Sequence, residues 1–331
     1  MTPLALTIGD PAGIGPELVL QILVKPLAGT VPCAFGSAEL LRRVSETTGY
    51  PLNAKVVPWE ESLLQNDLDV PTEPTIFDIP LEGLADLLPG APTALSGKAA
   101  YHWLLAGIRA TEAGLCGAVI TAPLCKEALY LAGKHYDGHT EILVEETKTK
   151  QHAMMLSAPA ISASLVTTHM AVAEVSKALT IERICEVTRL TAQALPLWKE
   201  SDGPPRLAML GLNPHAGENG LFGDEEQRII EPALKLLREE GHQIVGPLSA
   251  DTAFIESMRS EVDGYIAMYH DQGLIPLKTL AFDEAVNVTL GLPIVRTSVD
   301  HGTAFPLAWK GKAQVTSLYA ACDAAMRLVG G

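Results

Sequence analysis

The stretch Gly9–Glu17, "GDPAGIGPE", lies between an apolar opening, "PLALTI" (3–8), and an apolar run, "LVLQIL" (18–23). An apolar segment, a glycine-rich turn and a second apolar segment read as strand, turn and helix. Two nucleotide templates can be tested on the turn. The dinucleotide fingerprint G-x-G-x-x-G starts correctly at Gly13 and Gly15, but Leu18 stands where the third glycine belongs. The P-loop needs a lysine after its last glycine, and none follows. What remains is general physics. Pro16 suits a first helical turn, where its missing N–H is not needed. Gly13 and Gly15 permit positive φ or a close approach to backbone. A helix N-terminus favours an anion. A tight turn without a ligand explains the stretch equally well.

Outward from this turn the pattern repeats. "AAYHWLLAGIRATEAG" (99–114) has helical spacing and runs into the buried strand "AVITAP" (118–123). "ERICEVTRLTAQALPLW" (182–198) precedes "RLAMLGLNP" (206–214), and "EEQRIIEPALKLLREEG" (225–241) precedes the apolar "GYIAMYH" (264–270). "SLYAACDAAMRLVGG" (317–331) closes as a helix ending in glycines. Such alternation predicts an α/β architecture with a largely parallel sheet. "HAMMLSAP" (152–159) and "ASLVTTH" (163–169) read as an antiparallel pair inside it. No internal repeat or low-complexity linker is present, which predicts closely packed lobes.

The bulk numbers narrow the function. With 331 residues, the chain has room for two domains. A formal net charge of −15 argues against nucleic acid or an anionic membrane surface as main partner. Every long apolar run is interrupted too early to span a membrane. The five cysteines show no C-x-x-C spacing, and the N-terminus lacks a basic signal region. Both point to a reduced, cytoplasmic protein.

Three histidines follow strand-like segments: His169, His215 and His270. In parallel α/β sheets, ligands gather beyond the carboxyl ends of strands. Three neutral imidazoles so placed can converge on one divalent metal, with zinc the best match and cobalt or magnesium as substitutes. Asp251 and Asp271 are candidate proton acceptors or outer partners of that site, or simply helix caps. His139 and Thr140 open a helix in "DGHTEIL" and offer donors to a polar substrate. Lys278, Asn287 and Arg296 share the stretch 274–298, where Lys278 and Arg296 read as charges within apolar strands. They form either salt bridges or an anion clamp. Asp300, His301, Gly302 and Thr303 make a donor-rich turn that wraps a nucleotide or caps a helix.

With these residues in view, the chain resembles the 4-hydroxythreonine-4-phosphate dehydrogenase family from end to end. "GDPAGIGPE", "GHTE" (138–141), "VTTH" (166–169), "LNPHAGE" (212–218), "MYHDQGL" (268–274), "VNVTLGLP" (286–293) and "RTSVDHGTA" (296–304) occur in the family's order. The resemblance implies a two-lobed α/β/α fold of the isocitrate/isopropylmalate dehydrogenase-like superfamily, without a Rossmann fingerprint. The lobes are expected at 1–130 plus 295–331 and at 131–294. It implies a homodimer with active sites at the interface. His169, His215 and His270 match the metal ligands, one of them reaching across from the partner. His139, Thr140, Lys278, Asn287 and Arg296 match the substrate-binding residues, and Asp300 to Thr303 correspond to a segment holding NAD or NADP. The implied reaction oxidises the phosphorylated hydroxy-amino acid 4-phosphooxy-L-threonine at C3. The β-keto acid formed loses CO₂ to give 3-amino-2-oxopropyl phosphate, in the route to pyridoxine 5′-phosphate. Two alternatives stand beside it: a sister dehydrogenase of 4-phospho-D-threonate or 4-phospho-D-erythronate, and a non-catalytic ligand-binding protein on the same scaffold. Leu124, Cys125 and Trp309 depart from the usual family pattern.

Overall fold

The computed structural model describes residues 1–64, 69–199, 203–282 and 284–330. The chain divides into two compact units, residues 1–150 with 292–329 and residues 151–291 with 330–331. The first crossing therefore falls after Lys150 rather than near 130, and the helix that opens at His139 belongs to the unit with both chain ends.

Along the first unit run β1 (Thr2–Thr7), α1 (Gly15–Val24), β2 (Thr30–Gly36), α2 (Ala38–Thr48), β3 (Lys55–Pro58) and β4 (Thr75–Asp78). Then follow α3 (Ala94–Glu112), β5 (Ala118–Thr121), α4 (Lys126–Leu131) and α5 (His139–Glu146). The second unit contributes β6 (Ala153–Ala158), β7 (Ile161–Leu165), α6 (Val172–Ala178), α7 (Ile181–Lys199), β8 (Arg206–Leu210) and α8 (Glu231–Glu239). It continues with β9 (Gln243–Leu248), α9 (Glu256–Arg259), β10 (Gly264–Ala267), α10 (His270–Ala281) and β11 (Val286–Leu290). The chain then returns to the first unit as β12 (Val295–Val299) and α11 (Thr316–Val329). No described helix is long and apolar enough to cross a membrane.

In the first unit the strand order is β3-β4-β2-β1-β5-β12, with every pair parallel. Parallel strands are covered on both faces, which is why β1, β2 and β5 read as unbroken apolar runs rather than alternating ones. One face carries Ala5, Cys33, Phe35 and Val119 against Leu104 and Ile108 of α3. Phe35 stacks on Phe77 at 4.9 Å, and Trp59 meets both edge-on. α3 is started by a reciprocal cap, in which Thr93 and Ser96 each accept the other's backbone N–H.

The second unit runs β11-β6-β7-β10-β8-β9. β6 and β7 pair antiparallel, as the sequence predicts, and β11 pairs antiparallel with β6. β7, β10, β8 and β9 are parallel neighbours. The expected strands run too far at their carboxyl ends: β5 stops at Thr121, β7 at Leu165, β8 at Leu210 and β10 at Ala267, and His270 already opens α10. Lys278 is not in a strand either. It lies on α10, which tolerates Pro276 in its interior.

The opening turn has a tight geometry. Pro16 sits in the first turn of α1, as expected. Gly9, not Gly13 or Gly15, takes the left-handed conformation, at φ +72°. Gly13 and Gly15 are needed for close approach: a Cβ on Gly13 would stand 2.9 Å from Thr303 O, and one on Gly15 would run into the Ile8 carbonyl. Gly15→Ala should therefore cost about 1–3 kcal/mol. A urea unfolding midpoint equal to that of the parent would contradict this packing.

Candidate active site

The first unit joins its two ends at the opening turn. Ile14 N donates to Thr303 O at 3.0 Å, Trp309 Nε1 donates to Pro11 O at 3.0 Å, and Gly311 N donates to Glu17 Oε2 at 2.8 Å. The candidate cofactor residues Asp300, His301, Gly302 and Thr303 follow β12 directly, and Thr303 lies against Gly13. Trp309, a departure from the family pattern, is buried beneath Arg43, whose guanidinium lies 5.1 Å from the indole centroid. Glu17 is buried, and its Oε1 accepts no hydrogen bond, so burial raises its pKa against the opposing Gly311 N–H.

Asp10 is the acidic residue of the opening turn. It is fully buried, accepts from Ala12 N at 2.9 Å and takes the Ser96 hydroxyl at 3.2 Å. Desolvation outweighs those two bonds and raises its pKa from 3.8 to about 6. Cys125, another departure, stands at the N-cap position of α4, its thiol pushed up by burial and, to a lesser degree, by the Asp10 charge.

β12 supplies the cation of this unit. Strand alternation turns Thr297 to α11, where its hydroxyl donates to Ala321 O, and turns Arg296 to the other face. Arg296 is 2% exposed, and its Nη2 donates to Thr121 Oγ1 at 2.9 Å. Burial lowers its pKa to about 10, with the Glu141 carboxylate opposing, so it stays charged at neutral pH. His139, at the first position of α5, is held well below its usual range by burial and by the Arg296 charge. The imidazole is therefore neutral beside the guanidinium, and Thr140 follows it in the same first turn.

The histidines belong to the second unit. His169, His270 and His215 follow β7, β10 and β8, three adjacent parallel strands. Backbone bonds from Val166 N to Ala267 O and from Thr167 N to Met268 O extend the β7–β10 alignment past the strand ends. They deliver the His169 and His270 rings at a centroid separation of 5.8 Å. His270 Nδ1 lies 2.7 Å from Asp271 Oδ1, so Nδ1–H donates to the carboxylate and the lone pair falls to Nε2. Lys278, two turns along α10, lines the same open groove as His270 and Asp271. Asn287 lies on β11, and its buried Oδ1 accepts no hydrogen bond. Asp251 accepts the Ser249 hydroxyl at 2.5 Å, which lowers its pKa, with a smaller contribution from His215.

His215 is presented differently. Residues 215–219 all have left-handed φ, at 53°, 50°, 80°, 43° and 55°. Only the third is glycine, and each of the others costs roughly 1–2 kcal/mol. The buried Glu226 carboxylate holds this turn, accepting from Leu212 N at 2.7 Å, Asn213 N at 2.8 Å and Asn213 Nδ2 at 2.9 Å. Neither the left-handed turn nor Glu226 was marked by the sequence, since Gly217 alone hints at it. Among the described residues, one chain assembles no group of three or more His, Cys, Asp or Glu able to hold a metal ion.

The titration of Asp10 has a measurable sign. Its folded pKa lies above the unfolded one, so its stabilising contribution is complete below pH 3.8 and is lost as pH rises through about 6. An Asp10→Asn variant should gain on the parent by about 3 kcal/mol between pH 3.5 and pH 7.5. A stability difference independent of pH would contradict the assignment.

The family model "Pyridoxal phosphate biosynthetic protein PdxA" matches residues 29–325. A relative from Geobacter metallireducens named 4-hydroxythreonine-4-phosphate dehydrogenase is 43% identical, covering 96% of this chain and 93% of its own. One from Pectobacterium atrosepticum named D-threonate 4-phosphate dehydrogenase is 39% identical, covering 98% of both. The crystal structure of 4-hydroxythreonine-4-phosphate dehydrogenase from Klebsiella pneumoniae superposes with a TM-score of 0.85 at 39% identity, covering 99% of this chain and 100% of that one. On this evidence the chain belongs to the PdxA family of pyridoxal phosphate biosynthetic proteins.

Proposed function

We propose that this protein is an NAD(P)-dependent, metal-assisted dehydrogenase that oxidises 4-phosphooxy-L-threonine at C3. The 2-amino-3-oxo-4-phosphooxybutyrate formed loses CO₂ to give 3-amino-2-oxopropyl phosphate. The observation that carries this reading is the His169–His270 pair, with Asp271 on the outer nitrogen of His270. A carboxylate on one imidazole nitrogen fixes the tautomer and leaves the other nitrogen as a ligand. This donor set fits a divalent metal, with zinc favoured by nitrogen ligands over magnesium and with cobalt able to replace it. A metal held there would lower the pKa of a substrate hydroxyl, and a bound nicotinamide cofactor would supply the hydride acceptor.

The chain's own residues account for binding and charge. Arg296 offers a fork to a carboxylate or phosphate, and Lys278 offers a point charge. The neutral His139 and Thr140 hydrogen-bond a polar substrate without adding charge. Asn287 Oδ1 stands ready to accept a hydrogen bond from a substrate amine or hydroxyl. Asp251 and Asp271 are the candidate proton acceptors, and the turn from Asp300 to Thr303 receives the cofactor. Since one copy pairs only two of the three histidines, we place the active site at a homodimer interface. The exposed apolar side chains Met170, Val172, Leu221, Phe222, Ile275 and Phe282 of the second unit fit such a contact. The five free cysteines fit a reducing, cytoplasmic setting.

A second reading keeps the chemistry and changes the substrate to D-threonate 4-phosphate, because the relative bearing that name is almost as similar as the other. Steady-state assays with both compounds and their dephospho analogues, with NAD and with NADP, before and after chelation, separate the readings. The first predicts higher kcat/KM on phosphooxy-threonine, loss on chelation and a large loss on removing the phosphate. Equal kcat/KM with and without phosphate would sink the anion clamp. Asp271→Asn should weaken zinc binding about 10–100-fold, and unchanged affinity by competition titration would remove its orienting role.

A further inference from the structure

The acidic pair Glu225-Glu226 takes no part in the reaction proposed above, yet its contacts converge on the segment carrying His215. Glu226 opens a π-helical turn, Glu226–Ile230, ahead of α8, and is 2% exposed. A π-turn is an uncommon geometry that recurs at functional sites. Here it aims a carboxylate into the loop after β8. Oε1 takes the N–H groups of Leu212 and Asn213, and Oε2 takes Asn213 Nδ2. Glu225 Oε2 takes the same amide at 2.7 Å, while its Oε1 takes the Ser176 hydroxyl at 2.5 Å. On the far side the loop wraps the same group: a Cβ at Gly217 would stand 2.6 Å from Glu226 Oε2, and one at Gly211 3.1 Å from Oε1. The lead-in to the left-handed turn and its central glycine therefore lie against one buried carboxylate. Left-handed residues in succession do not hold by themselves. Something outside the turn must specify them, and Glu226 is bonded to the two residues that lead into it.

We propose that Glu226, assisted by Asn213, is a positioning residue that sets the left-handed turn and thereby the direction in which His215 presents its imidazole to the metal. This rests on the reading of His215 as a metal ligand. The carboxylate is specifically required. In Glu226→Gln the amide oxygen can still accept the two backbone N–H groups, but the amide nitrogen then faces Asn213 Nδ2, donor against donor. The turn loses one of its fixed points while the volume is kept.

The test uses the full-length protein loaded with Co²⁺ alone, read by its visible absorption and by competition with a chelator. Glu226→Gln should weaken Co²⁺ about 10–100-fold and shift the ligand-field bands, as expected when an outer partner of a ligand is lost. His215→Ala should weaken it further, and the double variant should bind no more weakly than His215→Ala, because Glu226 acts through His215. Wild-type affinity and spectrum in Glu226→Gln overturn the proposal, as does a double variant weaker than His215→Ala by the full Glu226→Gln factor. If Glu226→Gln does not fold, Asn213→Ala replaces it. That variant should show the same spectral shift with a smaller loss, and an unchanged spectrum overturns the proposal. Unchanged binding in His215→Ala would instead overturn the three-histidine reading, and this proposal with it.

Discussion

The main-chain hydrogen bond from Ile14 N to Thr303 O joins the first turn of the chain to a turn near its end. Much of the first unit follows from that contact. It brings backbone to within van der Waals distance of Gly13, where no side chain fits. It lets β12 return beside β5 and complete a parallel sheet begun by β1. The same approach is reinforced by Trp309 on Pro11 and by Gly311 on Glu17, so a segment distant in sequence becomes the roof of the opening turn. The failed dinucleotide template is thereby explained. The glycines of this turn make room for another piece of the same chain.

Both units bury carboxylates, and they use them in opposite ways. Glu226 is satisfied by three N–H donors and acts as a clamp on backbone. Asp10 has one N–H and one hydroxyl, too few to offset desolvation, and titrates near neutrality as a result. The buried cation Arg296 follows the same logic. A guanidinium retains its proton even when burial lowers its pKa to about 10, so it remains charged and helps burial to hold His139 neutral.

Much of this arrangement was legible in the residues. The alternation of apolar runs predicts the parallel strands, the antiparallel β6–β7 pair and the helices at 99–114 and 317–331, since periodicity is a local property. The placement of His169, His215 and His270 after strands was equally visible, and parallel strands carry their loops to one edge of the sheet. The strand reading of Lys278 failed because Leu277 and Thr279 mimic alternation, whereas α10 is built from contacts of Leu274 and Leu277 with β7 and β10. The five-residue left-handed turn was illegible because four of its members are not glycine. Residue identity in the turn does not favour that conformation, and Glu226, contributed from farther along the chain, bonds the residues that lead into it.

The sequence by itself determined the α/β class and the family, because motifs and hydropathy patterns are written in neighbouring positions. Tertiary structure alone decided which of those residues meet. Strand order made His169 and His270 neighbours. Burial shifted the titration of Asp10, His139 and Arg296. The return of β12 set Thr303 against Gly13. Each of these depends on distance and dielectric between segments remote along the chain, and those quantities exist only once the chain has folded.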